Sequence, residues 1–201
     1  MPVSSVVSFW LLAAVLIAVP GPDWAYAISA GLKGKAVSAA AGIVAGYAVM
    51  TAVVATGLGL MIASTPTALT LLTLAGGAYL IWLGVGTVAR PAAVTSDVGR
   101  GGQASIMLQG MLVSGLNPKG MLIFVAMLPQ FSDPDSAWPL PIQFALLGAT
   151  FTLTCAVTYL CVGGAASMLL RAHPSISRAV SRVSGASMVV VGALLLVERV
   201  V

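Results

Sequence analysis

Charge is scarce in this chain: 7% of its 201 residues are Asp, Glu, Lys or Arg, against 59% hydrophobic ones. Soluble domains carry about a quarter charged residues, so a water-exposed globule is excluded. The nine basic residues outnumber the five acidic ones, but they are scattered over connecting stretches and form no stripe for nucleic acid. Histidine occurs once, as His173, beside a proline in a basic loop, where it reads as a solvated side chain rather than a proton carrier. Cysteine occurs twice, as Cys155 and Cys161, six residues apart in one apolar segment. On a helix that spacing points them in different directions, so neither a disulfide nor a shared metal site is expected, and both read as small packing residues. Heavy-metal chemistry lacks its clustered ligands. An intramembrane enzyme lacks a base, since neither Ser114 nor Thr154 has a histidine at its depth. No cofactor is expected. No basic residue precedes the first apolar run, and no small-residue cleavage site follows it, so the first span is expected to stay in the protein.

What the chain has in abundance is apolar sequence, with a mean hydropathy of +1.06. Crossing the roughly 30 Å hydrocarbon layer takes about 20 helical residues. Apolar runs between polar stretches predict helices at 4–30, 37–62, 66–88, 105–129, 140–169 and 183–200. The fold expected is therefore all-α, an integral membrane protein of six transmembrane helices, with no soluble domain left over. Alternating helices put Lys33, Lys35, Arg90, Arg100, Arg171, Arg178 and Arg182 on one side and Arg199 on the other. The positive-inside rule makes the first side cytoplasmic and places both termini outside. The stretch from Arg171 to Arg182 reads as a short basic helix on the inner leaflet.

The longest polar connection divides the chain into repeat one, about 1–89, a loop, about 90–103, and repeat two, about 104–201. Three helices per repeat is odd, so the second repeat must enter the membrane inverted. Gly77-Ala78 with Gly84 in the third helix matches Gly185-Ala186 with Gly192 in the sixth, at the same spacing. Small residues, including the Gly42/Gly46 pair, let helices approach closely in lipid, and most are expected to serve packing within the chain. A homo-oligomer is left open.

Two polar breaks interrupt the first and fourth helices: Pro20-Gly21-Pro22-Asp23 and Asn117-Pro118-Lys119. Proline removes a backbone donor and frees carbonyls. Freed groups are tolerated at membrane depth only against protein or a wet cavity, so helices 1 and 4 are expected to be broken around a cavity. Asn117 before Pro118 reads as an N-cap with proline at the first helical position, and Pro22-Asp23 reads as a second helix start. Both starts aim a positive helix end inward, where an anion is favoured, and Lys119 strengthens the second. At 1.5 Å per residue, Asp23 lies about 15 Å and Lys119 about 21 Å above the cytoplasmic edge. A zwitterion fits an Asn117-Lys119 half-site facing an Asp23 half-site. A buried Asp23–Lys119 ion pair that fixes how the halves dock, or an Asp23 that caps its own half-helix, fits the same residues. Trp24, Tyr26, Tyr47, Tyr79 and Gln109 are candidates for the cavity wall, with Trp24 and Tyr26 read first as packing.

Broken helices at equivalent places in inverted repeats are a signature of secondary transporters. Val19-Pro20-Gly21-Pro22-Asp23, Gly77-Ala78-Tyr79-Leu80 through Leu83-Gly84, Asn117-Pro118-Lys119 and Leu128-Pro129-Gln130-Phe131 together resemble the LysE/RhtB family of bacterial amino-acid exporters, also called LysE-type translocators. The resemblance runs over essentially the whole chain. It implies a protein of the bacterial cytoplasmic (inner) membrane that exports amino acids in exchange for protons. Asn117-Pro118-Lys119 with Pro129-Gln130-Phe131 looks like the branch associated with homoserine, threonine or leucine. Export of another small amine or metabolite, or a scaffold without transport, remains the alternative. The residues expected to bind substrate or couple its movement are Pro20, Gly21, Pro22, Asp23, Asn117, Pro118 and Lys119. Asp23, the acid deepest in a span, is expected to carry the proton or pair with the cargo's ammonium.

Overall fold

A computed structural model of the chain describes residues 1–57, 66–89, 102–166, 168, 179, 182–183, 186, 189–190, 192–193 and 196–197. Among the described residues there is helix and turn but no strand. The helices are α1 (Val3–Ala18), α2 (Pro22–Leu32), α3 (Ala36–Ala55), α4 (Pro66–Ala89), α5 (Gln103–Gly115), α6 (Pro118–Leu122) and α7 (Leu140–Ala165). A π-helical turn over Ile123–Met127 and a 3-10 turn over Leu128–Phe131 continue α6.

Both expected breaks occur. The pair α1 and α2 bends by 60°, and α5 with the segment after Asn117 bends by 52°. Two described helices, α3 and α7, are long and apolar enough to cross a membrane alone, and each bent pair passes the same test when its two halves are taken together. Within the predicted 37–62, helix α3 itself ends at Ala55. Gly57 adopts a left-handed φ of +93° just past the C-cap Thr56, a geometry that terminates a helix and suits glycine. Residues 58–62 of that prediction, the polar connection 90–101, and Arg171 to Arg178 with His173 lie outside the described residues. The described positions of the expected sixth span are all helical.

The chain turns outward what a soluble protein would bury. Val7, Leu11 and Val15 on α1, Val49 and Val53 on α3, and Leu153, Val157 and Leu160 on α7 are exposed. They recur every three or four residues along their helices. Such apolar faces are what lipid solvates.

The interior centres on α3, which packs along α5 and α7, while α2 fills the space between α3 and α7. Glycine makes these approaches. A Cβ built on Gly42 would lie 2.2 Å from the Met107 carbonyl oxygen, and one on Gly46 would lie 2.1 Å from Ser114 Oγ. The Gly42/Gly46 pair thus seats α3 on α5 within the chain. Ser114 reinforces the seam, its hydroxyl 3.0 Å from the Ile43 carbonyl across the interface. Gly42→Val is expected to lower stability by about 1–3 kcal/mol or more through overpacking. A fall in the unfolding temperature of purified protein would register it, and an unchanged temperature would contradict this packing.

Gly77 meets Gly192 in the same way, a Cβ on Gly77 falling 3.0 Å from the Gly192 carbonyl oxygen. Two of the glycines that repeat in the sequence, Gly77 and Gly192, therefore lie where α4 meets the later helical residues. At the other end of α7, the buried Gln143 closes the 132–139 turn. Its Nε2 donates to the Asp133 and Trp138 carbonyls at 2.8 and 2.7 Å, and its Oε1 accepts from Asp133 N at 3.0 Å. The amino terminus of Met1 donates to Ser136 Oγ in that turn. The two cysteines are unpaired, Cys155 buried and Cys161 exposed.

Candidate functional site

Gly21 is the N-cap of α2 and Pro22 opens its first turn, so Asp23 stands at the positive end of a half-helix. Asn117 caps α6 through its own side chain, with Oδ1 accepting from Lys119 N at 3.1 Å. The N-cap reading of Asn117-Pro118 therefore holds. It leaves the amide Nδ2 of Asn117 free to donate elsewhere.

That group donates to Asp23 Oδ2 at 2.8 Å. The Tyr47 hydroxyl, from α3, donates to the same oxygen at 2.6 Å, and the Tyr159 hydroxyl, from α7, at 3.3 Å. Asp23 is 3% exposed and Asn117 2%. Oδ2 thus collects three donors from three segments. Oδ1 has none: among the described residues it is the single buried side-chain polar atom without a hydrogen-bond partner. A buried carboxylate oxygen without a hydrogen-bond partner is unfavourable by about 1–3 kcal/mol or more. It is also an acceptor held ready for a proton or a cation.

Lys119 is buried too, but its ammonium goes elsewhere. Nζ donates to the Val19 carbonyl at 2.7 Å, a group at the C-cap of α1 freed by the break that Pro20 and Pro22 impose. A cation at a helix C-terminus is favourable. Of the arrangements the sequence left open, the direct Asp23–Lys119 pair gives way to a crossed one. The second break supplies Asn117 to the acid that opens α2 and Lys119 to the carbonyl that ends α1.

Trp24 serves the same break. Its Nε1 donates to the Ile17 carbonyl at 2.8 Å, so the indole holds backbone rather than lining a cavity. Tyr26 donates to the Ile106 carbonyl at 2.5 Å and ties α2 to α5. Gln109 lies half-buried on α5. Tyr79 is on α4, its side chain outside the described residues. Of the candidate wall residues whose side chains are described, Tyr47 alone reaches Asp23.

Tyr159 escaped the sequence reading. The signal was faint: Phe151, Cys155 and Tyr159 recur at every fourth position of α7, and all three are buried. Behind the carboxylate, Tyr47 meets Phe151 edge-on at 4.9 Å and stacks on Phe124 at 6.1 Å and 8°. Phe124 sits in the π-helical turn, a local irregularity that often accompanies functional positions. Gly120 accepts the Tyr47 ring so closely that a Cβ there would fall 2.6 Å from Cε1.

Comparison with known proteins decides the family. The family model for the LysE type translocator matches residues 14–199. The chain belongs to the LysE type translocator family. An uncharacterized membrane protein of Vibrio cholerae serotype O1 is 33% identical over 149 residues, 71% of each chain. A homoserine/homoserine lactone efflux protein of Salmonella typhi is 30% identical over 184 residues, 86% of this chain and 84% of that one. A leucine efflux protein of Klebsiella pneumoniae is 29% identical over 164 residues, 77% of each. No solved structure matches the chain. In this LysE type translocator the buried charges among the described residues, Asp23 and Lys119, sit at the two breaks.

The three donors on Oδ2 should not matter equally. A hydrogen bond to a charged group contributes about 1.5–3 kcal/mol, so Tyr47→Phe is expected to slow efflux by about tenfold or more, at 1.4 kcal/mol per tenfold. Tyr159→Phe, at the longer distance, is expected to do less. Initial efflux rates from reconstituted protein check the order, and a larger effect at Tyr159 would contradict it.

Proposed function

We propose that this protein exports neutral amino acids from the cytoplasm in exchange for protons, with Asp23 holding the proton and the cargo's ammonium in turn. The bare Asp23 Oδ1 carries this reading, since it offers one buried acceptor that a proton or an ammonium can occupy but not both together. Competition for one carboxylate is the simplest antiport device. Loading the ammonium requires Asp23 to be ionised, and protonation from the opposite side releases the cargo. Asn117 and Tyr47 fix the carboxylate, while the prolines and Gly21 supply the two half-helix ends. Lys119 takes the cargo's carboxylate once it leaves Val19. The efflux relatives for leucine and for homoserine support a small amino acid as cargo.

The architecture that goes with this function is six spans in two inverted three-helix repeats, within the bacterial cytoplasmic membrane and with both termini outside. The paired bends at the first and fourth spans support it. So does the Gly77–Gly192 contact: the sequence aligns Gly77 with Gly185 and Gly84 with Gly192, as a two-fold relation of the repeats would have it.

A second reading, export of a small amine without a carboxylate, draws on the engagement of Lys119 with Val19. Proteoliposomes preloaded with a panel of labelled amino acids and amines, under an imposed pH gradient, test both. Gradient-driven efflux of a neutral amino acid is the expected result. Efflux that ignores the gradient would remove the antiport, and efflux of amines alone would favour the second reading.

A further inference from the structure

The first turn after the second break carries a glycine that the backbone does not require. Gly120 lies within α6 and its φ is not left-handed, and alanine is the stronger helix former. The Tyr47 ring accounts for it. A Cβ at position 120 would lie 2.6 Å from Tyr47 Cε1, 3.1 Å from its hydroxyl oxygen and 3.3 Å from Cζ. The ring therefore enters the space of the missing side chain by its hydroxyl end, the end that donates to Asp23 Oδ2 at 2.6 Å. The rest of the ring is fixed. Phe124 stacks on it, Phe151 meets it edge-on, and these two rings meet each other edge-on at 5.3 Å. All three are buried, so a Cβ at position 120 is relieved by displacing the hydroxyl end.

We infer that Gly120 is a positioning residue for Asp23: the gap it leaves, walled by Phe124, sets where the Tyr47 hydroxyl meets the carboxylate. Its transport readout rests on the export reading; the geometry does not. Asn117, Gly120 and Phe124 follow one another at spacings of three and four residues, which brings them to one side of their segment. That side meets the Asp23–Tyr47 pair with a hydrogen bond, a gap and a stacked ring. The second half-helix thus holds the acid twice, directly through Asn117 and indirectly through the seat it gives Tyr47. A shift of this half-helix would release both donors together.

A double-mutant cycle separates positioning from packing. Gly120→Ala is made in full-length wild type and in Tyr47→Phe, which keeps the ring and lacks the hydroxyl. A packing defect is common to both backgrounds, whereas a displaced hydroxyl matters only where there is one. Efflux of labelled leucine and homoserine from proteoliposomes should slow by about tenfold or more on Gly120→Ala, as on Tyr47→Phe. In the Tyr47→Phe background Gly120→Ala should slow it no further. Equal slowing in both backgrounds, or none in either, would overturn the inference. Gly115→Ala is the control for stiffening the break, because a Cβ there meets nothing within 4 Å. Slowing by Gly115→Ala to the same extent would also overturn it. If Gly120→Ala does not fold, Phe124→Leu takes its place in the same two backgrounds, with the same outcomes deciding. If wild type moves neither amino acid, the export reading fails, and the infrared carboxyl band of Asp23, identified as the band absent from Asp23→Asn, tests the geometry alone. A band moved by Gly120→Ala in wild type but not in Tyr47→Phe supports the positioning role. A band that stays in place in both refutes it.

Discussion

Asp23→Asn is expected to abolish both proton-driven efflux and cargo exchange, while leaving the fold intact. Asparagine keeps an oxygen that accepts from Tyr47 and Asn117, so two of the bonds that hold the first break survive. What disappears is the negative charge and the titratable oxygen. Removing one partner of a buried, hydrogen-bonded charge pair is worth about 2–5 kcal/mol, a loss of about 30- to 3,000-fold at 1.4 kcal/mol per tenfold. Two assays on one preparation divide the roles. Efflux under a pH gradient reports coupling, and counterflow without a gradient reports cargo binding. Loss of both fits a shared carboxylate. Loss of gradient-driven efflux with counterflow retained would assign the ammonium to another group, and retention of gradient-driven efflux would end the case for Asp23. The unfolding temperature, unchanged in the variant, separates these outcomes from misfolding.

The breaks were legible because they violate the medium. Proline pairs and single charges inside spans of hydrocarbon length are unfavourable without a purpose, and local rules for helix starts then place Asn117 at an N-cap and Pro22 in a first turn. The bends of 60° and 52° follow from those residues. Individual pairings are a different matter. Whether Lys119 reaches Asp23 or Val19 depends on the docking angle between two half-helices, and no local rule contains that angle. Tyr47 and Tyr159 come from helices whose residues, Gln143 aside, are otherwise apolar or small. Their hydroxyls carry no periodic signal that distinguishes a ligand of Asp23 from a packing ring. Tyr26 and Tyr47 are both wall candidates by sequence, with Tyr26 read first as packing; in the structure Tyr26 ties α2 to α5 and Tyr47 holds the acid. The end of α3 was missed for a simpler reason. Hydropathy continues past Gly57, whereas the helix ends with the left-handed turn there.

Lys119→Met should have nearly as large an effect as loss of the acid, and it separates two uses of one ammonium. In the structure Nζ satisfies the Val19 carbonyl. Methionine has similar length and no donor, so the carbonyl would be left bare inside the protein at about 1–3 kcal/mol. A lower unfolding temperature is the expected sign of that structural role. If Lys119 also takes the cargo's carboxylate, Lys119→Met loses a second contact, but only for cargo that has a carboxylate. Leucine and its decarboxylated counterpart, isoamylamine, make the comparison, because they share the side chain and the ammonium. Binding of leucine to the variant should weaken by about 10- to 100-fold, the about 1.5–3 kcal/mol of a charge-assisted hydrogen bond, whereas isoamylamine should bind as it does to wild type. Equal weakening of both would confine Lys119 to the end of α1, and the amine reading of the cargo would then stand ahead of the amino-acid one. An ammonium that leaves Val19 for the cargo would also loosen the junction between α1 and the second break. Cargo binding and the bend of the first span would then be coupled through one side chain.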